Sequence, residues 1–228
     1  EVFRTFWYNP KTNSKTFYIA EQVSHHPPIT SIYVINRKEG YCIYGTILAR
    51  SKFYGNSVSA IMEGSIKIIL LNRGEEYTVT LPYANCKGIL IGKMTIELGG
   101  KVRIECSKTG YSTDIDFKLK PLLSSNEASN QIEGKIKFAN KETLAIINGK
   151  WDGEIYLHEK SNGLTKQFWN PTKDVIEQRL KRFVVPIDEQ KEFESEKLWY
   201  NVSEAIRNSN QYLATEEKTI IETRQRRI

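Results

Sequence analysis

A mainly β chain, a large antiparallel β-barrel followed by C-terminal α-helices, is the fold class this sequence predicts. Three observations lead there. Apolar and polar residues alternate in short runs from the first residues to about residue 170. Turn-forming clusters separate those runs at near-regular intervals, as in a strand meander closing into a barrel, not as in alternating strands and helices. After about Asn170 the apolar period lengthens to that of a helix. The 228 residues read as one domain, 1–228, with 1–170 mostly barrel strands and 171–228 mostly helical.

In order, Val2 to Tyr8 alternates and is aromatic, a strand; 9–14 carries Asn, Pro and Ser and turns the chain; Thr16 to Ala20 is the return strand. From Glu21 to Pro28 the chain is expected to be stiff and extended, since Pro27 biases His26 away from the α region and neither proline has an N–H. Ile29–Asn36 and Tyr41–Arg50 form a hairpin closed by 37–40. Ser57–Leu71 is a long strand, bent at Gly64, and 72–75 turns it into Tyr77–Leu81. Ile89–Leu98, a Gly99-Gly100 turn and Val102–Cys106 follow. Asp114–Lys120 alternates cleanly, and Ile132–Phe138, Thr143–Ile147 and Trp151–Leu157 continue the series. Asp174–Arg182 holds one or two helical turns. From Ser195, a candidate N-cap, Leu198, Val202 and Ala205–Ile206 share a helix face; 208–210 interrupts; Ala214–Arg227 is a second helix with Ile220 and Ile221 as its apolar contacts.

Composition narrows the chemistry. Three scattered cysteines without a CxxC pair point to reduced thiols, not a disulfide framework or a zinc site. No signal peptide is visible at the start, and no apolar run approaches the length of a membrane helix. A net charge of +6 suits phospholipid headgroups, anionic membranes or nucleic acid, and does not choose among them. The basic residues are spread along the chain apart from the run Arg224-Gln225-Arg226-Arg227, and Lys52 and Lys87 read as solvated surface.

Two of the three histidines are adjacent, His25 and His26, and both precede the proline pair. Such a pair supports three readings. It is a loop pair satisfied by local hydrogen bonds, or a set of cationic donors to a phosphate, or a metal or catalytic site. The metal reading lacks further ligands at zinc spacing, and the general-base reading lacks a nucleophile elbow of the G-x-S-x-G type. On the last helix Lys218, Glu222 and Arg226 recur every four residues, so they lie within one face; surface ion pairing worth a few tenths of a kcal/mol explains that spacing equally well.

The stretch Glu21-Gln22-Val23-Ser24-His25-His26-Pro27-Pro28 matches the fingerprint of the oxysterol-binding-protein-related lipid transfer proteins. Segments 12–20, 51–57, 82–88, 97–100 and 193–199 also resemble this family. Among its subgroups the chain is most similar to the one that exchanges phosphatidylserine for phosphatidylinositol 4-phosphate. The resemblance implies a lipid-binding barrel, no cofactor, no metal and no catalysis. It implies that His25, His26, Lys218, Glu222 and Arg226 bind the phosphoinositide headgroup, with Glu222 orienting its basic neighbours, and that Ser51 contacts the phosphatidylserine headgroup. It implies phospholipid or sterol ligands, transient contact with anionic membranes, and a place on the cytosolic face of endoplasmic reticulum–plasma membrane contacts. Family members carry a lid and further residues upstream of this stretch, so the chain is expected to be the back portion of such a domain. Without them, dimerisation through open strand edges is a further expectation. Sterol exchange and a nucleic-acid-binding module are the competing readings. The latter expects exposed stacking aromatics on a basic face, whereas most aromatics here fall in strand patterns that bury them.

Overall fold

In the computed structural model, which describes residues 1–121, 128–139 and 142–227, fourteen strands form one antiparallel sheet. The first half runs β1 (Val2–Asn9), β2 (Ser14–Ser24), β3 (Ile29–Asn36), β4 (Tyr41–Phe53), β5 (Ser57–Leu70), β6 (Glu75–Thr80) and β7 (Tyr83–Lys87). It continues through β8 (Thr95–Cys106), β9 (Tyr111–Phe117), β10 (Gln131–Lys137), β11 (Thr143–Lys150), β12 (Ile155–Glu159) and β13 (Thr165–Trp169). Nearly every strand pairs with its sequence neighbour, the signature of a meander; β14 (Arg182–Val184) returns to pair with β1. This is the wall of a β-barrel, and among the described residues no ladder joins β13 to β14.

The register sorts the side chains onto two faces. One row runs Val102, Ile115, Gly134, Ile147, Leu157 across β8 to β12, and its neighbours Ile104, Ile132 and Ala145 are equally apolar. The opposite face of the same strands carries Arg103, Asp114, Glu133, Lys135 and Lys137. Alternation on a pleated sheet has this outcome: the aliphatic face turns inward and the charged face meets water. Val102, Ile132, Ala145, Ile147 and Cys106 are buried.

Several expectations are corrected. Gly99-Gly100 is not a turn: β8 runs straight through it, because β7 pairs with its first half and β6 and β9 with its second, while Gly100 at φ +96° bends the strand. Of Ile89–Leu98 only the end from Thr95 is strand; the rest is loop. Trp151 lies in a turn ahead of β12. The sequence pattern missed β7, β13 and β14, each five residues or fewer and too short to show a period.

Four helices follow the barrel strands: α1 (Lys173–Glu177), α2 (Ser195–Leu198), α3 (Tyr200–Arg207) and α4 (Gln211–Gln225). Glu194, not Ser195, sits at the N-cap of α2, because the Ser195 hydroxyl is donated to the Val2 carbonyl at 3.1 Å. Asn210 caps α4 by accepting from the Leu213 N–H, so that helix starts three residues earlier than the apolar pattern suggests. Val202, Ala205 and Ala214 form the core of the α3–α4 hairpin, with Trp199 and Ile221 against it. Ile206 and Ile220 are exposed: Ile220 is one residue, about 100° of helix, away from Ile221 and cannot share its contact.

Candidate headgroup site at the barrel rim

His25 to Pro28 form the turn of the β2–β3 hairpin, not the extended segment expected; the His26–Pro27 peptide is cis. The chain must reverse there, since Ser24 already pairs with Ile29, and two prolines without N–H groups suit a turn better than a ladder. His25 is half-buried and His26 exposed, with ring centroids 4.3 Å apart and planes tilted by 53°. The Pro28 carbonyl accepts from the Ala49 N–H at 3.2 Å, which ties the turn to β4.

The helical segment takes root at the same end of the barrel. Val2, at the start of β1, pairs with Glu21 of β2, just before the histidine turn. On its other side Val2 forms a parallel bridge with Glu194, and its N–H is donated to the Phe193 carbonyl at 2.9 Å. Glu194 is buried and takes the Arg4 guanidinium; that hydrogen bond first, with the Lys191 N–H added, holds its pKa below the ordinary carboxylate range. The α3–α4 hairpin then leaves the rim and comes back: Asn201 donates to Glu217 at 3.1 Å, and Arg224 pairs with Glu192 at 3.1 Å, two residues from Glu194. The last turn of α4 is thereby returned to the end of the barrel that bears the histidines.

On α4, Lys218 Nζ lies 3.6 Å from Glu222 Oε1, and Arg226 Nη2 lies 3.7 Å from Glu222 Oε2. Both separations exceed hydrogen-bond length, so one carboxylate sits between two cations without saturating either. Both basic side chains are more than half exposed. A phosphate would find donors not committed elsewhere, in a face of net positive charge. Among the described residues no hydrogen bond or ion pair joins the histidines directly to Lys218, Glu222 or Arg226. Ser51 is exposed near the end of β4, opposite Ala60 and in register with the aliphatic face.

Lys87 is not solvated surface: its ammonium is 2.7 Å from Glu97 Oε2, and that carboxylate is buried in β8 beside Asn85. A groove of about 500 Å³ lies elsewhere, lined by Arg4, Phe6, Phe17, Tyr33, Phe183 and Glu189 among others. Phe6 and Phe183 stack there at 5.0 Å, and none of the residues expected to bind a headgroup lines it. No group of three His, Cys, Asp or Glu among the described residues is placed to hold a metal ion, and the three cysteines are free. No helix among the described residues is long and apolar enough to cross a membrane.

Comparison with known proteins adds to this geometry. The family model of the oxysterol-binding proteins matches residues 1–215, a span that ends within α4 and before Lys218. Oxysterol-binding protein-related protein 8 of Mus musculus is 57% identical over 226 residues, covering 99% of this chain and 25% of that protein. Oxysterol-binding protein-related protein 5 of the same organism is 54% identical over 226 residues, covering 99% of this chain and 26% of its own length. The chain thus spans about a quarter of these relatives, whose alignment includes α4. Among solved structures, the Osh3 ORD in complex with PI(4)P from Saccharomyces cerevisiae superposes with a TM-score of 0.72 at 20% identity, covering 100% of this chain and 61% of that one. The Osh1 ORD domain in complex with ergosterol gives 0.72 at 20% identity, covering 98% and 58%. At that identity the likeness is one of fold.

Proposed function

The chain belongs to the oxysterol-binding protein family, and from that premise we propose that it binds phosphatidylinositol 4-phosphate and exchanges it for phosphatidylserine between membranes. One observation supports the reading: the last turn of α4, which carries Glu222 with Lys218 one turn before it and Arg226 at its cap, is tied through Arg224–Glu192 to the segment that bridges Val2 beside the histidine strand. Charge-assisted hydrogen bonds from His25, His26, Lys218 and Arg226 select the phosphorylated inositol, Glu222 orients the two α4 cations, and the aliphatic face receives the acyl chains. Ser51 serves the serine headgroup. No bond changes in the cycle, so the protein is a carrier and not an enzyme. Its work is at the cytosolic face of membrane contacts, with phosphoinositide returning down its own gradient. The Osh3 ORD holds PI(4)P on this fold, which supports the phosphoinositide arm. The Osh1 ORD holds ergosterol on it, which makes sterol the competing cargo.

Native mass spectrometry with lipid identification tests this directly. The protein is incubated with liposomes containing phosphatidylserine, phosphatidylinositol 4-phosphate and sterol, beside the His25→Ala/His26→Ala variant. Both phospholipids are expected on the wild type, and loss of the phosphoinositide alone from the variant. Sterol in place of phosphatidylserine would overturn the exchange partner. A variant that keeps its phosphoinositide would overturn the role of the histidines.

A further inference from the structure

The β4–β5 hairpin does not stop where its neighbours do. β3 ends against Leu48, at the histidine turn, and the residues from Ala49 to Phe53 carry β4 about 16 Å further in the same direction. β7 lies beside that overhang, Ser57 opposite Lys87, and the loop after it, 88–94, folds against the hairpin turn. Asn56 joins the two: its side-chain oxygen accepts from the Leu90 and Ile91 N–H groups at 2.9 Å each, its amide donates to the Ile91 carbonyl at 2.8 Å, and its backbone carbonyl accepts from Gly88 at 3.0 Å.

The tip so formed is apolar and open. Phe53, Tyr54, Leu90, Ile91, Met94 and Ile96 are each between 60% and 80% exposed. Its charge has one sign: 50–62 and 77–96 contain Arg50, Lys52, Lys87 and Lys93 and no acidic residue. Arg50 and Lys87 are paired with Glu63 and Glu97 from the flanking strands, and among the described residues no ion pair holds Lys52 or Lys93. Asn56 satisfies the N–H groups of Gly88 to Ile91 and the Ile91 carbonyl, which removes part of the penalty for taking the loop out of water.

We propose that the joined loops 53–56 and 88–94 are a membrane-docking tip that enters the headgroup layer of an anionic bilayer and sets the histidine rim against the lipid surface. Bare aliphatic and aromatic side chains ringed by unpaired lysines fit an interface that is apolar below and negatively charged above. The orientation of the headgroup site rests on the reading given above; the docking does not require it. The lipid is recognised by charge and apolar depth, not by headgroup chemistry.

Vesicle co-sedimentation with phosphatidylcholine, with and without phosphatidylserine, tests the tip in three proteins: wild type, Leu90→Asn/Ile91→Asn and Lys52→Gln/Lys93→Gln. Removing each apolar side chain is expected to lower partitioning about ten-fold. Removing each lysine is expected to lower it about five-fold, and only on the anionic vesicles. Circular dichroism confirms that the exposed substitutions leave the fold intact. A second arm measures binding of a water-soluble short-chain phosphatidylinositol 4-phosphate, which both tip variants should retain. Apolar-tip variants that sediment like the wild type would overturn the docking inference and leave the headgroup reading untouched. Wild type that docks through the tip yet fails to bind the soluble lipid would support docking and overturn the headgroup reading. If the wild type ignores vesicles but is a dimer that the tip variants dissolve, the tip is a contact between two copies and the membrane inference is wrong.

Discussion

Replacing Asn56 by alanine isolates what holds the two loops together. The substitution deletes three hydrogen bonds, two accepted from Leu90 and Ile91 N–H and one donated to the Ile91 carbonyl. It leaves the two backbone bonds that the Asn56 carbonyl accepts from Gly88 and Ile89, at 3.0 and 3.3 Å. All three side-chain bonds are solvent-exposed, so each is worth the lower end of the usual net value, about 0.5 kcal/mol, and the set about 1.5 kcal/mol. That free energy favours opening of the loop by about ten-fold, without reaching the barrel ladders. Hydrogen exchange read by NMR is the assay. Leu90 and Ile91 amides should exchange about ten-fold faster, while Gly88 and Ile89 serve as internal controls and the melting temperature falls by about 2–4 °C for each kcal/mol lost. Asn56→Asp keeps both acceptor bonds and loses only the donor, so its amides should stay protected while its new negative charge weakens docking on anionic vesicles. Unchanged exchange at Leu90 and Ile91 in the alanine variant would show that the loop is held by something other than Asn56.

Two further outcomes follow from the barrel itself. Asp114 accepts from Lys137 at 2.8 Å and Arg103 at 3.0 Å, and these donors, Lys137 first, hold its pKa below the ordinary carboxylate range. A depressed folded value means that its stabilisation is complete above the unfolded value, about pH 4, and is lost as pH falls through the folded one. Asp114→Asn should therefore flatten part of the acid limb of melting temperature against pH; a limb parallel to the wild type would contradict the assignment. Gly64 in β5 sits at φ +126°, and a Cβ there would lie 2.2 Å from the Thr46 carbonyl oxygen. Gly64→Ala should cost about 1–3 kcal/mol and lower the melting temperature by about 2–4 °C for each kcal/mol, and an unchanged melt would refute the close approach.

The fold was legible where a period had room to show itself. β1 to β6 and β9 to β11 announce themselves by alternation, and α3 by Val202 and Ala205 on one face. What stayed hidden was decided by pairing and not by pattern. Gly99-Gly100 looks like a turn because glycines often sit in one, yet partners on both sides carry β8 through it. The three residues of β14 become a strand only because β1 offers them an edge. The site shows the same division. The histidine pair and the Lys218–Glu222–Arg226 spacing could be read directly from the letters. That α2 docks on Val2, so that α4 returns to the histidine end, depends on Glu194 meeting Arg4 across most of the chain, and nothing local signals it. The loop 88–94 leaves only a faint trace, an apolar Ile-Leu-Ile between two glycines that resembles the start of a strand in the letters alone.

The protein carries a net charge of +6, part of it paired locally. On the outer face of the barrel several basic side chains are answered locally: Lys67 by Glu76, Arg103 by Glu105 and Asp114, Lys137 by Asp114, Lys118 by Glu133. Such exposed pairs add little stability, but they cancel the field at distances beyond a Debye length. At the histidine end the balance differs. Among the described residues Lys52 and Lys93 have no ion pair, and Lys218 and Arg226 share a single carboxylate at long range. Cations without acidic partners draw an anionic surface towards them before contact. On the docking and headgroup readings proposed above, bare Leu90 and Ile91 would meet the bilayer first, with the histidine rim behind them. Pairing the tip lysines by placing acidic residues beside them should therefore slow vesicle association without changing the affinity for a soluble headgroup. An equal loss of both would mean that the tip and the rim are one site.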